Sequence, residues 1–464
     1  MTVTTRPASV EIEQDRDLEQ RVADLEALIE EARRRARRRR QRHGAAALLV
    51  AAAGVAAFIG FGGRGGGGAG TAALAQAPSA QSPAANAGSP PLAALPLSAS
   101  AVEAFAFDSR NPQIVYVLTV SGNSSRGHVF KTTDGGAHWQ ATATSGSGWA
   151  GDVQTLTADP RHPGTLYAGT TVAVYKTVDG GRNWRPYNQG LFPPHGGRRV
   201  CSGPAGGKYC VKQPFGTAGT PHFNRGNGWV TAIAVDPANT NIVYSGADAV
   251  RKSSDGGHSW KTVFQFDPAG YRWLHLVSGL AIAPTRPESI YAIAVTNRGA
   301  SHTSIFKSTD AGKTWHATGG PGSVFVNQAG WGGALAVDPQ HPTTVYASIG
   351  RTLVRTTDAG ASWQPITQGL PQQVVTALTV DPKQPETVYA GLYPTYKKNV
   401  ISAPGGIYKT TNGGDTWTQA FAGITPGPLA VDPARPTTIF AVVNGPKARL
   451  ARSTDGGRTW TTAP

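Results

Sequence analysis

The sequence predicts an all-β fold, a seven-bladed β-propeller, preceded by a short coiled-coil-like helix and one transmembrane helix. Three observations predict it. Two different motifs each recur seven times in strict alternation. The composition, with 58 Gly, 34 Pro and only 15% charged residues, suits many short strands joined by tight turns. A 20-residue uncharged stretch directly follows a run of arginines.

In chain order, residues 1–43 come first. Leu18, Val22, Leu25 and Ile29 alternate at spacings of four and three, the seam of a short amphipathic helix over 10–32. Such a seam supports a homodimer or packing on another surface. Eight arginines follow between Arg33 and Arg42. A run of this kind suits a nucleic-acid arm, but residues 44–63, GAAALLVAAAGVAAFIGFGG, change its meaning. That stretch is long enough to span a bilayer, and arginines ahead of a span stay in the cytoplasm. The expectation is therefore no nucleic acid, a membrane anchor at 44–63, and a propeller on the extracellular or periplasmic side. Ala73-Leu74-Ala75 resembles a cleavage site, yet it lies far beyond the apolar stretch. Residues 64–98, rich in Gly, Ala, Ser and Pro, read as a flexible linker.

Residues 99–464 carry the repeats. The first motif, of the form A-V-D-P-x-x-P-x-x-V-Y-A, begins at Asp108, Asp159, Asp236, Ala283, Asp338, Asp381 and Asp432. Its Asp accepts turn amides, its prolines fix φ, and its Val-Tyr-Ala forms a strand between blades. The second motif, S/T-x-D-x-G-x-x-W, places its polar position at Asp134, Asp179, Asp255, Asp310, Asp358, Asn412 and Asp455. Its tryptophans are Trp139, Trp184, Trp260, Trp315, Trp363, Trp417 and Trp460, large wedges between sheets. One four-stranded blade cannot bury both faces, whereas seven arranged radially can.

The second motif resembles the Asp box, or bacterial neuraminidase repeat. That repeat occurs in sialidases, in the sortilin luminal propeller, in xyloglucan-cleaving glycosidases and in the photosystem II assembly-factor propeller. The resemblance implies a propeller in which the Asp boxes are scaffold. Asn412 departs from the pattern but keeps a polar acceptor.

The functional reading turns on which acids the scaffold leaves free. After residue 98 the chain holds three glutamates and 16 aspartates. Glu288 and Glu386 fall in first-motif turns, and once the motif aspartates and Asp415 are set aside, Glu103, Asp152, Asp248 and Asp267 remain. Glycosidases generally need a carboxylate pair. No F/Y-R-I-P arginine motif precedes the first box, and xyloglucan enzymes set substrate between two propellers. A binding or assembly propeller with a protein partner is thus the first expectation, and a cell-envelope glycan binder or a hydrolase using Asp152 and Glu103 the alternative. Four further tryptophans, Trp149, Trp229, Trp273 and Trp331, precede inner strands and suggest an aromatic arc on the face opposite the turns. Glu103, Gln154, Thr231, Ser278 and Thr376 fall near the channel, to hold a ligand or only to solvate it. The insert at 190–228 adds Arg198, Arg199 and Arg225 to that face. Its Cys201 and Cys210 read as a disulfide in an oxidising compartment; a zinc site with His195 and His222 matches no ligand spacing, so neither metal nor cofactor is expected. Residues 65–464 hold 31 Lys and Arg against 19 acids, which points to an anionic partner.

Overall fold

Each repeat folds into a four-stranded antiparallel sheet with its strands in sequence order, which yields seven sheets for seven motif pairs. This computed structural model describes residues 91–95, 101–121, 124–142, 152–191, 198–202, 209–213, 229–265, 275–297, 301–319, 324–326, 333–349, 351–397, 400–422, 425–444 and 449–463. Contacts divide the chain into Met1–Ala80 and Gln81–Pro464, and every described residue belongs to the second unit. The amphipathic helix at 10–32 and the span at 44–63 lie outside the described residues. Among the described residues, no helix is long and apolar enough to cross a membrane.

The inner strands of blades 1 to 7 are Ala101–Phe107, Val153–Ala158, Ala232–Val235, His275–Ala283, Leu335–Val337, Val375–Val380 and Thr425–Val431. Each contacts the inner strand of the next blade, and the seventh contacts the first. The ring therefore closes, although blades 1 and 7 are each built from one continuous segment. Closure relies on packing. Leu92 is buried with Val117, Trp139, Phe440 and Leu450 between the two blades, and the Ala93 amide donates to the Gly136 carbonyl at 2.9 Å. The end of the stretch read as linker thus packs on the propeller.

The hydrophobic core is not one centre but seven wedges, one at each blade interface. Each wedge pairs the first-motif aromatic of one blade with the second-motif Trp of the next. Tyr116 meets Trp184, Tyr167 meets Trp260, Tyr346 meets Trp417, Tyr389 meets Trp460, and Phe440 meets Trp139. This is the packing expected of the Val-Tyr-Ala strand.

Both motifs build one face. Asp108, Asp159, Asp236, Asp338, Asp381 and Asp432 are buried, and each accepts the amides two and three residues ahead. Ala283 has no carboxylate to hold those amides, and blade 4 instead turns within two residues, Ala283 pairing with Arg286. In every blade the second-motif loop donates an amide to a first-motif carbonyl, as Gly135 does to Gln113 and Gly456 to Thr437, both at 2.9 Å.

The second-motif turn is a small closed network. The Thr132 hydroxyl donates to Asp134 Oδ1 at 2.7 Å and accepts the Gly136 amide at 2.9 Å, while Asp134 Oδ1 accepts the His138 amide at 2.9 Å. Burial alone would raise the Asp134 pKa, but the hydrogen bonds from His138 and Thr132 win and hold it to about 2. Asn412 keeps the Oδ1 part, accepting from Thr410 and from the Thr416 amide. Its Nδ2 donates to Thr416 Oγ1 at 2.9 Å, where an aspartate such as Asp310 accepts from Thr314.

A basic residue precedes every second motif: Lys131, Lys176, Lys252, Lys307, Arg355, Lys409 and Arg452. Each lies directly across from the buried first-motif aromatic of its own blade. The cation reaches over the interface to the next blade's turn. Lys176 Nζ donates to the Gly256 carbonyl at 2.8 Å, Lys252 to Ala311 at 2.8 Å, Lys409 to Gly456 at 2.9 Å and Arg452 to Gly135 at 2.6 Å. Tyr167, Tyr244 and Tyr389 donate to the same carbonyls. Five of the basic residues, Arg355 included, thus bond to the scaffold, and the charge excess speaks less strongly for an anionic partner than the composition alone implied.

Candidate functional site

The inner strands run from the opposite face toward the turns. Antiparallel order therefore places the blade-to-blade connections and the second-to-third-strand loops together on that opposite face, the mouth. Every addition to the four-stranded pattern falls there: the hairpin Arg198–Ser202 with Tyr209–Gln213, the fifth strand Val324–Val326 of blade 4, and the hairpin Thr395–Lys397 with Val400–Ala403 in blade 6. The turn face is uniform and the mouth is variable, as the repeat pattern led one to expect.

Near the mouth the inner strands share a defect. Pairing slips by one residue between Val102 and Ala104, Val153 and Thr155, Val277 and Gly279, and Val375 and Ala377. The residues skipped are Glu103, Gln154, Ser278 and Thr376, four of the five that the sequence placed near the channel. A bulge bends its strand and re-aims one side chain. In blade 3 the fifth, Thr231, sits just ahead of the inner strand, and its amide donates to the Gly246 carbonyl at 3.0 Å.

Three of these five serve the scaffold. Thr231 Oγ1 donates to the Val277 carbonyl of the next blade at 2.5 Å, Ser278 Oγ accepts the Gly333 amide at 3.2 Å, and Thr376 Oγ1 donates to Gly391 at 3.2 Å. The side chains of Glu103 and Gln154, in adjacent blades, make no hydrogen bond with the described residues. Glu103 remains open to solvent, yet protein crowds it on most sides, and that burial pushes its carboxyl above the ordinary glutamate range.

The other sequence candidates divide. The Asp152 amide donates to Thr171 Oγ1 at 2.9 Å, and its carbonyl accepts the Thr171 amide at 2.8 Å. Asp248 pairs with the buried Arg251 at 2.8 Å, which removes it from the list of free acids. Trp229 is half-buried where the chain enters blade 3, beside the Val230 amide that donates to Thr170. The approach there is close: a Cβ on Gly169 would lie 2.5 Å from the Val230 carbonyl. Trp149, Trp273, Trp331, Arg225 and Asp267 lie outside the described residues. Arg198 and Arg199 lie on the backbone of the mouth hairpin, in which Cys201 and Cys210 are direct cross-strand partners. Among the described residues, no group of three or more His, Cys, Asp or Glu side chains is arranged to hold a metal.

No protein-family model matches the chain. Curated relatives are similar to it. A xyloglucanase from a Paenibacillus species is 26% identical over 336 residues, covering 51% of this chain and 31% of that protein. Xyloglucanase Xgh74A of Acetivibrio thermocellus is 26% identical over 263 residues, covering 52% of this chain and 26% of that protein. The chain thus spans less than a third of the length of these relatives. Among solved structures, an ancestral GH74 enzyme matches with a TM-score of 0.48 and 17% identity, over 67% of this chain and 37% of that one. YCF48 from Cyanidioschyzon merolae matches with a TM-score of 0.45 and 13% identity, over 78% and 97%. At such scores neither structural likeness bears on function.

Proposed function

We propose that the propeller recognises a polysaccharide at its mouth, with Glu103 as the central polar contact and Trp229 as one aromatic wall. The observation that carries this is Glu103 itself, set at the bulge of its inner strand, crowded by protein yet open to solvent, with its side chain unbonded among the described residues. The expectation of a protein partner gives way because the curated relatives are xyloglucanases, which act on a glycan. The Asp-box reading of the repeats and the anchor at 44–63 complete the proposal, presenting the mouth outside the cytoplasm. The Cys201–Cys210 disulfide belongs to it too, since cross-strand neighbours fall within disulfide reach.

Titration of the full-length chain in detergent with xyloglucan oligosaccharides tests this reading. Binding is expected, weakened by about 1–2 kcal/mol or more in Trp229→Ala if that ring stacks on sugar. No saturable binding of any neutral glucan would overturn it. Hydrolysis is a second reading, favoured by the raised Glu103 pKa, which suits a general acid. It needs a second carboxylate, for which Asp152 in the adjacent blade is the candidate. Turnover of xyloglucan that Glu103→Gln and Asp152→Asn each abolish, with binding intact, distinguishes hydrolysis from binding alone.

A further inference from the structure

On the turn face, between blades 6 and 7, a pocket of about 410 Å³ is lined by Lys383, Lys409, Thr437, Asp455 and Arg458 among others. Its charges are unlike those of the neighbouring groove. Between blades 5 and 6 the cation Arg355 meets acids from blade 6. Arg355 Nη2 lies 3.2 Å from Asp415 Oδ1, and both Arg355 and Glu386 converge on Gly413. Asp415 stands three residues after Asn412, and Glu386 is the residue whose carbonyl accepts the Gly413 amide. In blade 7 the same two positions are Arg458, three residues after Asp455, and Thr437, whose carbonyl accepts the Gly456 amide. The two acids are thus replaced by a cation and a hydroxyl.

Lys383 adds a third cation. The two carboxylates of the pocket are already engaged: Asp381 accepts the amides of Lys383 and Gln384, and Asp455 accepts from Ser453 and Thr459. Lys383 and Lys409 each spend one donor on a carbonyl, Ala434 at 2.8 Å and Gly456 at 2.9 Å, and an ammonium has three. The Arg458 amide bonds to Asp455, while its side chain is exposed and its guanidinium makes no hydrogen bond with the described residues. Burial lowers the Lys409 pKa and the charge of Arg458 lowers it further, with Asp381 and Asp455 opposing. Three cations thus share a concave site with two hydrogen-bonded carboxylates, an excess of one positive charge.

We propose that this pocket binds a phosphate group, free or carried as a monoester, held by Lys383, Lys409 and Arg458 with Thr437 as a further donor. A guanidinium beside two ammonium groups suits a compact dianion, and charge-assisted hydrogen bonds of this kind are the strong ones. The site lies on the face opposite the mouth and stands independently of polysaccharide recognition.

The test is calorimetric titration of the full-length chain in detergent with inorganic phosphate, glucose 6-phosphate, glucose and acetate. The two phosphates are expected to bind, glucose and acetate not. Tighter binding of the sugar phosphate assigns a monoester, and equal or tighter binding of the inorganic ion assigns free phosphate. Arg458→Asp recreates the acid that blade 6 already carries at this position, so the fold is expected to hold while affinity falls at least about tenfold. Lys383→Ala, at an exposed residue, supplies a second reading of the same loss. Arg182→Asp is the control, because the groove between blades 1 and 2 also carries Arg110, Lys131 and Arg182. Absence of phosphate binding, an unchanged affinity in Arg458→Asp, or an equal loss in Arg182→Asp would each overturn the assignment.

Discussion

The turn face and the mouth are made by the same seven repeats, yet they treat their polar groups in opposite ways. On the turn face nearly every carboxylate faces amides: the buried first-motif aspartates hold two each, and Asp134, Asp179, Asp255, Asp310, Asp358 and Asp455 each close a loop. At the mouth the repeats depart from one another in loop length, in added hairpins and in the bulge residue. Glu, Gln, Ser and Thr occupy equivalent bulges. A scaffold repeated seven times needs the same bonds in each copy, so its residues cannot vary. The mouth carries no such repeated demand, and it is there that Glu103 occurs, its side chain unbonded among the described residues. The pocket between blades 6 and 7 qualifies this division, since it lies on the uniform face yet differs in charge from the groove between blades 5 and 6.

Breaking the scaffold side should give the largest effects. Trp417 is 4% exposed in the wedge with Tyr346, and its Nε1 donates to the Ile366 carbonyl at 2.9 Å. Trp417→Ala is expected to cost about 3–5 kcal/mol, read as a lower denaturation midpoint. A loss below about 1 kcal/mol would mean that the wedges do not hold the ring. Asp432 comes next. It is fully buried, and removing it leaves the Ala434 and Arg435 amides and Arg435 Nε without their acceptor. Asp432→Ala should cost about 2–3 kcal/mol by the same measurement. Because Arg435 also holds the Pro112 carbonyl of blade 1 at 2.6 Å, the damage should extend to ring closure. Faster proteolysis at the blade 7–blade 1 junction than elsewhere would report it.

How much of this was legible in the sequence follows the same division. Residues bonded to near neighbours can be read from spacing: Asp432 and the amides it holds lie within three residues, and Thr132, Asp134 and His138 within six. So blade number, both turns and the Trp–Tyr wedges were accessible. The cation before each second motif was equally visible as a repeated Lys or Arg, but its partner lies in the next blade, and its meaning appears only once the blades are set side by side. The bulges at Glu103, Gln154, Ser278 and Thr376 leave no mark in composition or periodicity, because a register slip is a property of two strands. Ring closure through Leu92 and Ala93 was hidden for a simpler reason: a short apolar group in a Gly/Ala/Pro stretch carries no pattern. At the mouth, Cys201 and Cys210 were legible as a close pair, and the hairpin makes them cross-strand neighbours.

A smaller effect sharpens the account of the turns. Six positions of positive φ in the second-motif loops of blades 1 to 3 are glycine, but Ala311 and Ala359 adopt φ of 57° and 62° in blades 4 and 5. A Cβ is disfavoured in that region. Ala311→Gly and Ala359→Gly are each expected to stabilise the propeller by about 0.5–1 kcal/mol, the relief of strain exceeding the added freedom of the unfolded chain. Destabilisation in a thermal melt would show that these two methyl groups contribute packing that the turn depends on.

The finest test compares the two faces by the sign of their pH dependence. Asp134 and Asp255 are held to about 2 because burial, which would raise them, is outweighed by hydrogen bonds to the ionised form. Their folded pKa lies below the unfolded one, so their stabilisation is present above the unfolded value and is lost as pH falls toward 2. Glu103 has the opposite shift: burial raises its pKa above the ordinary value of 4.5. The folded state therefore binds its proton more tightly than the unfolded state, and stability falls as pH rises through the interval between the two values. Glu103→Gln removes that loss. Its melting temperature should match the wild type at about pH 3, below both values, and exceed it slightly at about pH 7. Asp134→Asn should do the reverse, matching the wild type only in strong acid and falling below it at neutral pH. If Glu103→Gln were instead less stable than the wild type at neutral pH, the carboxylate would have a partner in the folded chain, and it would belong to the scaffold like the acids of the turn face.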